Sequence, residues 1–514
     1  MANAFENIDV LELTVEQIQA GFTQGSFTAE ALCRAYMARI DQVNPVYNAI
    51  IFANPQALDE ARAIDQRRVS GEVLGPLAGV PVVIKDTMDM VGFPTTGGWS
   101  LLYSKTGGVD LMPARDSPVV ARMRAAGCVL LGKTNVPILS ATGSHANNSW
   151  AGPTLNAVDK SLMPGGSSAG TATAVASSMA TLGLAEETGG SIQNPAAAQA
   201  LVGIKPTFAL VPNAGVMPLA GSTRDVVGPI ARCVRDAALV LDVLAGYSAE
   251  DPKTVAGVGK KPAKGYTSLF STDALYGRRI GLYGPGWRTR VLSPETESLY
   301  QRAKDELVAR GAILVDDPFS GSGFAALGQP AEGTDHFDPR GMGCVPNDMQ
   351  KYLERMGPNA NVKSWSEFVD VTKAEDAFGP EGVLSYITYL PELAEGLVDP
   401  SAPPPTEAFF ALRETYLEIF SEVMEKHALD ALIFPQLRDA VPLRESHETL
   451  HETTVSEINI AGLPGVTVPA GYYASGSPFN LILVGHLWSE ATLLAMAYDY
   501  EQATQHRKVP HLYL

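Results

Sequence analysis

The sequence predicts an α/β fold on three observations. Between Pro118 and Leu131 an amphipathic helix, a glycine (Gly127) and a short apolar strand follow one another, the rhythm of helices alternating with buried strands. The same order returns with a small-residue helix over Thr171–Met179 and a strand over Thr181–Ala185. Hydrophobic residues make up 46% of the 514 and charged ones only 18%, enough apolar side chain for a large core.

Taken in order, Thr14-Val-Glu-Gln17 has capping-box spacing and opens a short helix. A second helix runs from about Thr28 to Val43 on apolar residues at helical spacing, and Asn44-Pro45 stops it. A third, charged and lying on the surface, spans about Pro55–Val69. Val80–Ile84 is a strand that delivers Lys85 and Asp86 at its end. Asp116 as cap with Pro118 in the first turn starts a helix to Ala126, which Gly127 ends before strand Val129–Leu131. Helix Val234–Ala245, strand Arg278–Tyr283, helix Thr296–Arg310 and strand Ala312–Val315 continue the alternation. From about Gly321 to Pro405 proline, glycine and polar residues rise, which predicts an insertion over the core. Helix Thr406–His427, strands Ala431–Phe434, Val466–Val468 and Leu481–Val484, and helix Ser489–Gln505 close the chain.

A net charge of −18 argues against nucleic-acid and anionic-membrane partners, because phosphates repel such a surface. The four cysteines, Cys33, Cys128, Cys233 and Cys344, form no CxxC pair, and the first three lie in apolar periodic segments where a buried free thiol is ordinary. That points to a reducing, cytoplasmic setting. The N-terminus has no basic segment followed by an apolar core, so no signal peptide is expected.

The chemistry concentrates between Pro164 and Thr207, where Gly165-Gly-Ser-Ser-Ala-Gly170 and Thr188-Gly-Gly-Ser191 flank a run of small residues. Glycine pairs let backbone amides approach a ligand. A serine hydroxyl needs a base before it attacks anything, and no Ser/His/Asp set is evident. Lys85, after five apolar residues, can be that base if burial keeps it neutral. A second serine between lysine and nucleophile would relay the proton.

Gly79-Val-Pro-Val-Val-Ile-Lys-Asp86, Gly132-Lys-Thr-Asn135, Gly152-Pro-Thr154, the two glycine–serine knots, Gly203-Ile-Lys-Pro-Thr207, Asn459-Ile-Ala-Gly-Leu-Pro-Gly465 and Val468-Pro-Ala-Gly471 together resemble the amidase signature family. The ending, Ser489-Glu490 through Glu501-Gln-Ala-Thr504, is most similar to its peptide amidase and small-amide branch. The resemblance implies one α/β domain over residues 1–514, with a large mixed twisted central β-sheet covered by helices on both faces. Within it stand an N-terminal helical segment (about 10–70), a signature core (about 75–250), the insertion (about 321–405) and the C-terminal part of the core (about 406–514). It implies Ser191 as acyl-forming nucleophile, Ser167 as relay preceded by a cis peptide, and Lys85 as general base. It also implies an oxyanion hole from the amides of Thr188, Gly189, Gly190 and Ser191, and substrate contact near Ala141. Two positions depart from its pattern: Glu187 and Gln193 stand where the family commonly has Asp and Arg, a change of both partners that still allows a hydrogen bond between them.

The expected activity is hydrolysis of the C–N bond of a small, apolar or aryl amide, with no metal or cofactor, by a monomer or homodimer. Alternatives are an esterase or carbamate (urethane) hydrolase with the same three residues, and the transamidating component of a glutamine-dependent complex. A non-catalytic binding protein would not need the intact lysine and serines. His447-Glu-Thr-Leu-His451 matches the HExxH zinc pattern, but the stretch is polar, without a clear third ligand, and is read as a solvated segment. A phosphate loop is excluded at the knots, where no Gly-Lys-Ser/Thr ending follows at the right spacing. Phe324, Phe337, Tyr352, Trp365, Phe368, Tyr386 and Tyr389 of the insertion are candidates either to line an aryl pocket or to pack the insertion itself.

Overall fold

Eleven strands pair into one mixed sheet in the computed structural model, which describes residues 8–328 and 337–514. They are β1 (Ile50–Ala53), β2 (Pro81–Lys85), β3 (Val129–Thr134), β4 (Leu182–Glu187), β5 (Val202–Lys205), β6 (Val226–Ala231), β7 (Arg279–Leu282), β8 (Ile313–Val315), β9 (Ala431–Pro435), β10 (Gly465–Tyr472) and β11 (Pro478–Val484). Their order is β1-β3-β2-β4-β6-β5-β10-β11-β9-β7-β8. β2 runs parallel to β3 and β4, and β7 parallel to β8 and β9; the other pairs are antiparallel.

Every residue of β2 to β6 is buried. The alternation of a strand sends neighbours to opposite faces. Leu182 and Leu184 of β4 join a core packed by the N-terminal helices, by Val234–Leu244 and by Glu490–Thr504. Ala185 joins a second cluster with Ala172 and Val175 of helix Ala169–Ala176. Helices therefore cover both faces, as the resemblance implied.

Local signals place most elements within a few residues. Thr14 caps helix Val15–Gln24 with both bonds of the capping box present. Two expectations need correction. The second helix does not stop at Asn44-Pro45 but runs from Ala29 to Tyr47. Pro45 lies in its last turn, and Asn44 Oδ1 accepts from the amides of Ala49 and Ile50, fixing the turn into β1. The cap of helix Pro118–Ala125 is Ser117, not Asp116; Asp116 instead accepts from the Val91 amide and from Arg124. The insertion has regular structure of its own. Helices Val345–Arg355, Trp365–Thr372 and Pro391–Val398 give it a core of its own with Trp99, Leu102, Leu139 and Leu219. Residues 329–336 of the expected insertion lie outside the described residues. Cys33, Cys128 and Cys344 are buried and Cys233 partly so; none is in a disulfide. Among the described residues no helix is long and apolar enough to cross a membrane.

Helix Ala169–Ala176 sets the first glycine–serine knot against the sheet. It can approach because position 170 is glycine: a Cβ there would strike the backbone nitrogen of Asn135 and the carbonyl oxygen of Ala49. Overpacking of this kind costs about 1–3 kcal/mol. Gly170→Val is expected to lower the unfolding free energy by at least that amount, measured by chemical denaturation, and to reduce activity beyond the loss of folded protein, because Ser167 moves with the helix.

Candidate active site

Lys85 ends β2 with no exposed atom. Its Nζ donates to Ser167 Oγ at 2.7 Å, to the Glu186 carbonyl at 3.0 Å and to Glu186 Oε2 at 2.8 Å. Those three acceptors match the three donors of an ammonium. Burial pushes the amine below the ordinary lysine range, and the Glu186 carboxylate partly opposes it. Lys133 and Lys205 are equally buried. Lys133 pairs with Asp86 at 2.7 Å and Lys205 donates to the Leu463 carbonyl at 2.7 Å. Among these three, only Lys85 touches a serine.

Ser167 follows a cis peptide from Gly166, as the resemblance implied. Gly165 has a φ of +73°, and a Cβ on it would strike Pro195. Ser191 is nearly buried and lines a cavity of about 410 Å³. Among the described residues Ser191 Oγ makes no hydrogen bond. The structure thus joins Lys85 to Ser167 directly and shows no hydrogen bond between Ser167 and Ser191.

The turn before Ser191 presents backbone amides. Those of Gly189, Gly190 and Ser191 donate to no described group. Gly190 has a φ of +88°, a conformation that favours glycine. Glu187 anchors the turn from beneath. Its Oε2 accepts from the amides of Ile192 and Gln193 at 2.8 and 3.1 Å, and its Oε1 accepts from Gln193 Nε2 and from Asn459 Nδ2. The Glu187–Gln193 departure therefore keeps its hydrogen bond. Arg224, fully buried, ties the turn to the insertion. It donates to the Thr188 carbonyl at 3.1 Å and to the Asp338 carbonyl, and its guanidinium stands 5.0 Å from the Phe337 ring.

Ala141 lines the same cavity, with Ser140, Gly143, Leu219, Phe337, Tyr386, Tyr389, Leu450 and Glu452. Of the insertion aromatics, Phe337, Tyr386 and Tyr389 face the cavity, while Phe324, Tyr352, Trp365 and Phe368 are buried in packing. The segment with His447 and His451 is not helical, so the spacing does not stack the two rings on one face. His447 is exposed, and His451 Nδ1 lies 3.3 Å from Asp439 Oδ2. Sequence reasoning missed Glu186, Arg224, Asp225 and Glu452; nothing in their spacing distinguishes them from ordinary charged residues.

A family model described as Amidase matches residues 31–325. The chain belongs to the amidase signature family. It is an enzyme that acts on the carbon–nitrogen bonds of amides. It is 32% identical over 512 residues to a glutamyl-tRNA(Gln) amidotransferase component of Chloroflexus aurantiacus, across 97% of this chain and 98% of that one. The peptide amidase of Stenotrophomonas maltophilia superposes with a TM-score of 0.77 at 30% identity, covering 97% and 98% of the two chains. An amidase family protein from Bacillus anthracis gives 0.78 at 27%, covering 98% and 93%.

Because Glu187 collects four hydrogen bonds from the turn and its neighbours, Glu187→Ala is expected to destabilise the protein by about 1.5–3 kcal/mol, the scale of a bond to a charged group. Activity per folded molecule should fall with it. Calorimetry beside a steady-state assay separates the two losses.

Proposed function

We propose that the protein hydrolyses amides with a small, apolar or aryl acyl group through a Ser191 acyl-enzyme. The observation that carries this is the contact between the amine of Lys85 and the Ser167 hydroxyl, beside a cavity lined by Thr188, Gly189 and Ser191. Ser191 Oγ attacks the carbonyl carbon. Its proton passes to Ser167, whose own proton passes to the neutral amine of Lys85. The oxyanion takes hydrogen bonds from the turn over Thr188, Gly189, Gly190 and Ser191, fixed donors worth about 3–4 kcal/mol each in comparable sites. Collapse breaks the C–N bond, and the Lys85 ammonium returns the proton through Ser167 to the leaving amine. Water then attacks the acyl carbon, giving up its proton along the same chain, and Ser191 leaves with a proton returned by it.

Phe337, Tyr386, Leu219 and Leu450 support an apolar or aryl acyl group. Acyl-serine chemistry does not require an amine leaving group, so an esterase or carbamate hydrolase is the alternative reading of the same site. Similarity to components of glutamyl-tRNA(Gln) amidotransferases favours a second reading, a transamidating protein that works with partner proteins and tRNA. The net charge of −18 disfavours direct tRNA contact. Co-purification of stoichiometric partners would favour it.

Ser191→Ala should abolish hydrolysis of 4-nitroanilides and 4-nitrophenyl esters; native activity in the purified variant would sink the assignment. Lys85→Ala should lower kcat/KM by about 10²–10⁴-fold, the range for a general base. The neutral lysine is the active form, so kcat/KM should rise with pH through the lysine titration and then level. A profile flat from about pH 5 to 9 would exclude Lys85 as base. A panel of aryl amides, short peptide amides, esters and carbamates ranks the substrate classes.

A further inference from the structure

One buried carboxylate at the site has no part in the proton path just described. Glu186 lies at the end of β4 beside Lys85, and its side chain is 1% exposed. The parallel pairing of β2 with β4, which sets Ile84 opposite Leu184, brings the two strand ends together. Glu186 contacts Lys85 twice, through its carbonyl at 3.0 Å and its Oε2 at 2.8 Å. Its other oxygen, Oε1, accepts from Thr188 Oγ1 at 3.3 Å, while that hydroxyl also reaches Asp225 Oδ1 at 2.5 Å. One hydroxyl proton serves one acceptor at a time, so the two carboxylates compete for it.

We propose that Glu186 is a positioning residue for Lys85: its carboxylate holds the amine against Ser167 and sets the pH at which the lysine becomes a base. The inference rests on the reading of Lys85 as base given above. Burial drives a lysine towards its neutral form. Unopposed, that would leave a weak base, poorly matched to taking a serine proton. A carboxylate at 2.8 Å draws the proton back.

The other charged groups around Lys85 have partners of their own. Asp225 is fully buried, accepts from the amides of Leu219 and Ala220 at 3.0 Å, and is pushed up to about 7 by burial and by Glu186. Glu187 is occupied by Ile192, Gln193 and Asn459. Asp86, next in sequence, turns to Lys133 and Thr96. Among these carboxylates only Glu186 contacts the amine, so its removal has a distinct signature.

The test is the pH profile of kcat/KM for a 4-nitrophenyl ester and the matching 4-nitroanilide, with wild type, Glu186→Gln, Glu186→Thr, Glu186→Asp and Lys85→Ala. Loss of an opposite charge at this distance moves a titration by about 1–3 units. The acid limb should therefore shift down by about that much in the Gln and Thr variants, and the alkaline plateau should fall because the base is weaker. Glu186→Asp, which keeps the charge, should retain an acid limb close to the wild-type one. An unshifted limb in folded Gln or Thr variants overturns the proposal, as does failure of both to unfold cooperatively, which would assign Glu186 a structural role alone. The two readings fail differently. If Lys85→Ala keeps wild-type activity, the base assignment falls. If it is inactive while the Gln and Thr limbs stay put, only the role of Glu186 falls.

Discussion

Lys85 has no exposed surface, and a charged amine taken into a protein interior loses several kcal/mol of hydration that its new partners must replace. Here the replacements are a serine hydroxyl, a carbonyl and a carboxylate. Much of the central sheet serves to bring them together. Ser167 comes from the knot ahead of helix Ala169–Ala176, and both Glu186 acceptors come from the end of β4. Each can stand within hydrogen-bond reach only because β2 and β4 are neighbours in parallel register. The same burial that needs compensation also favours the neutral amine, the form that the proposed base role of Lys85 requires.

The turn before Ser191 is held from two sides. Glu187 gathers the amides that follow it, and Arg224 fastens the Thr188 carbonyl to the segment that carries Phe337. Between these anchors the chain must be thin. A Cβ at position 189 would run into the Phe337 ring, so glycine there lets the cavity wall close onto the turn. The insertion is thus part of the site: it contributes aromatic rings to the cavity and a backbone anchor to the turn beside it.

Where the sequence could be read, the reason was local chemistry. A threonine three residues before a glutamine announces a helix start, and Val80–Ile84 announces a buried strand ending in a lysine. Local chemistry also misled. Asn44-Pro45 looks like a stop, yet a proline in the last helical turn removes little when Asn44 takes over the neighbouring amides. Asp116 and Ser117 are both good caps, and the choice fell to Ser117 because Val91 and Arg124 already occupy Asp116. β6 contains Gly228 and Pro229, residues that argue against a central strand, and its pairing with β4 and β5 prevails.

By itself the sequence determined the α/β class and most element positions, because capping and periodicity are properties of short stretches, and through the amidase signature resemblance it singled out Lys85, Ser167 and Ser191 as the candidate chemical centre. Tertiary structure alone decided which charged groups surround them. Glu186 meets Lys85 from 101 positions away and Asn459 meets Glu187 from 272. Such contacts depend on which strands become neighbours, and no short stretch encodes that. The two glycine knots were legible as turns. That one of them lies beside a buried lysine–carboxylate pair follows only from the order of the sheet.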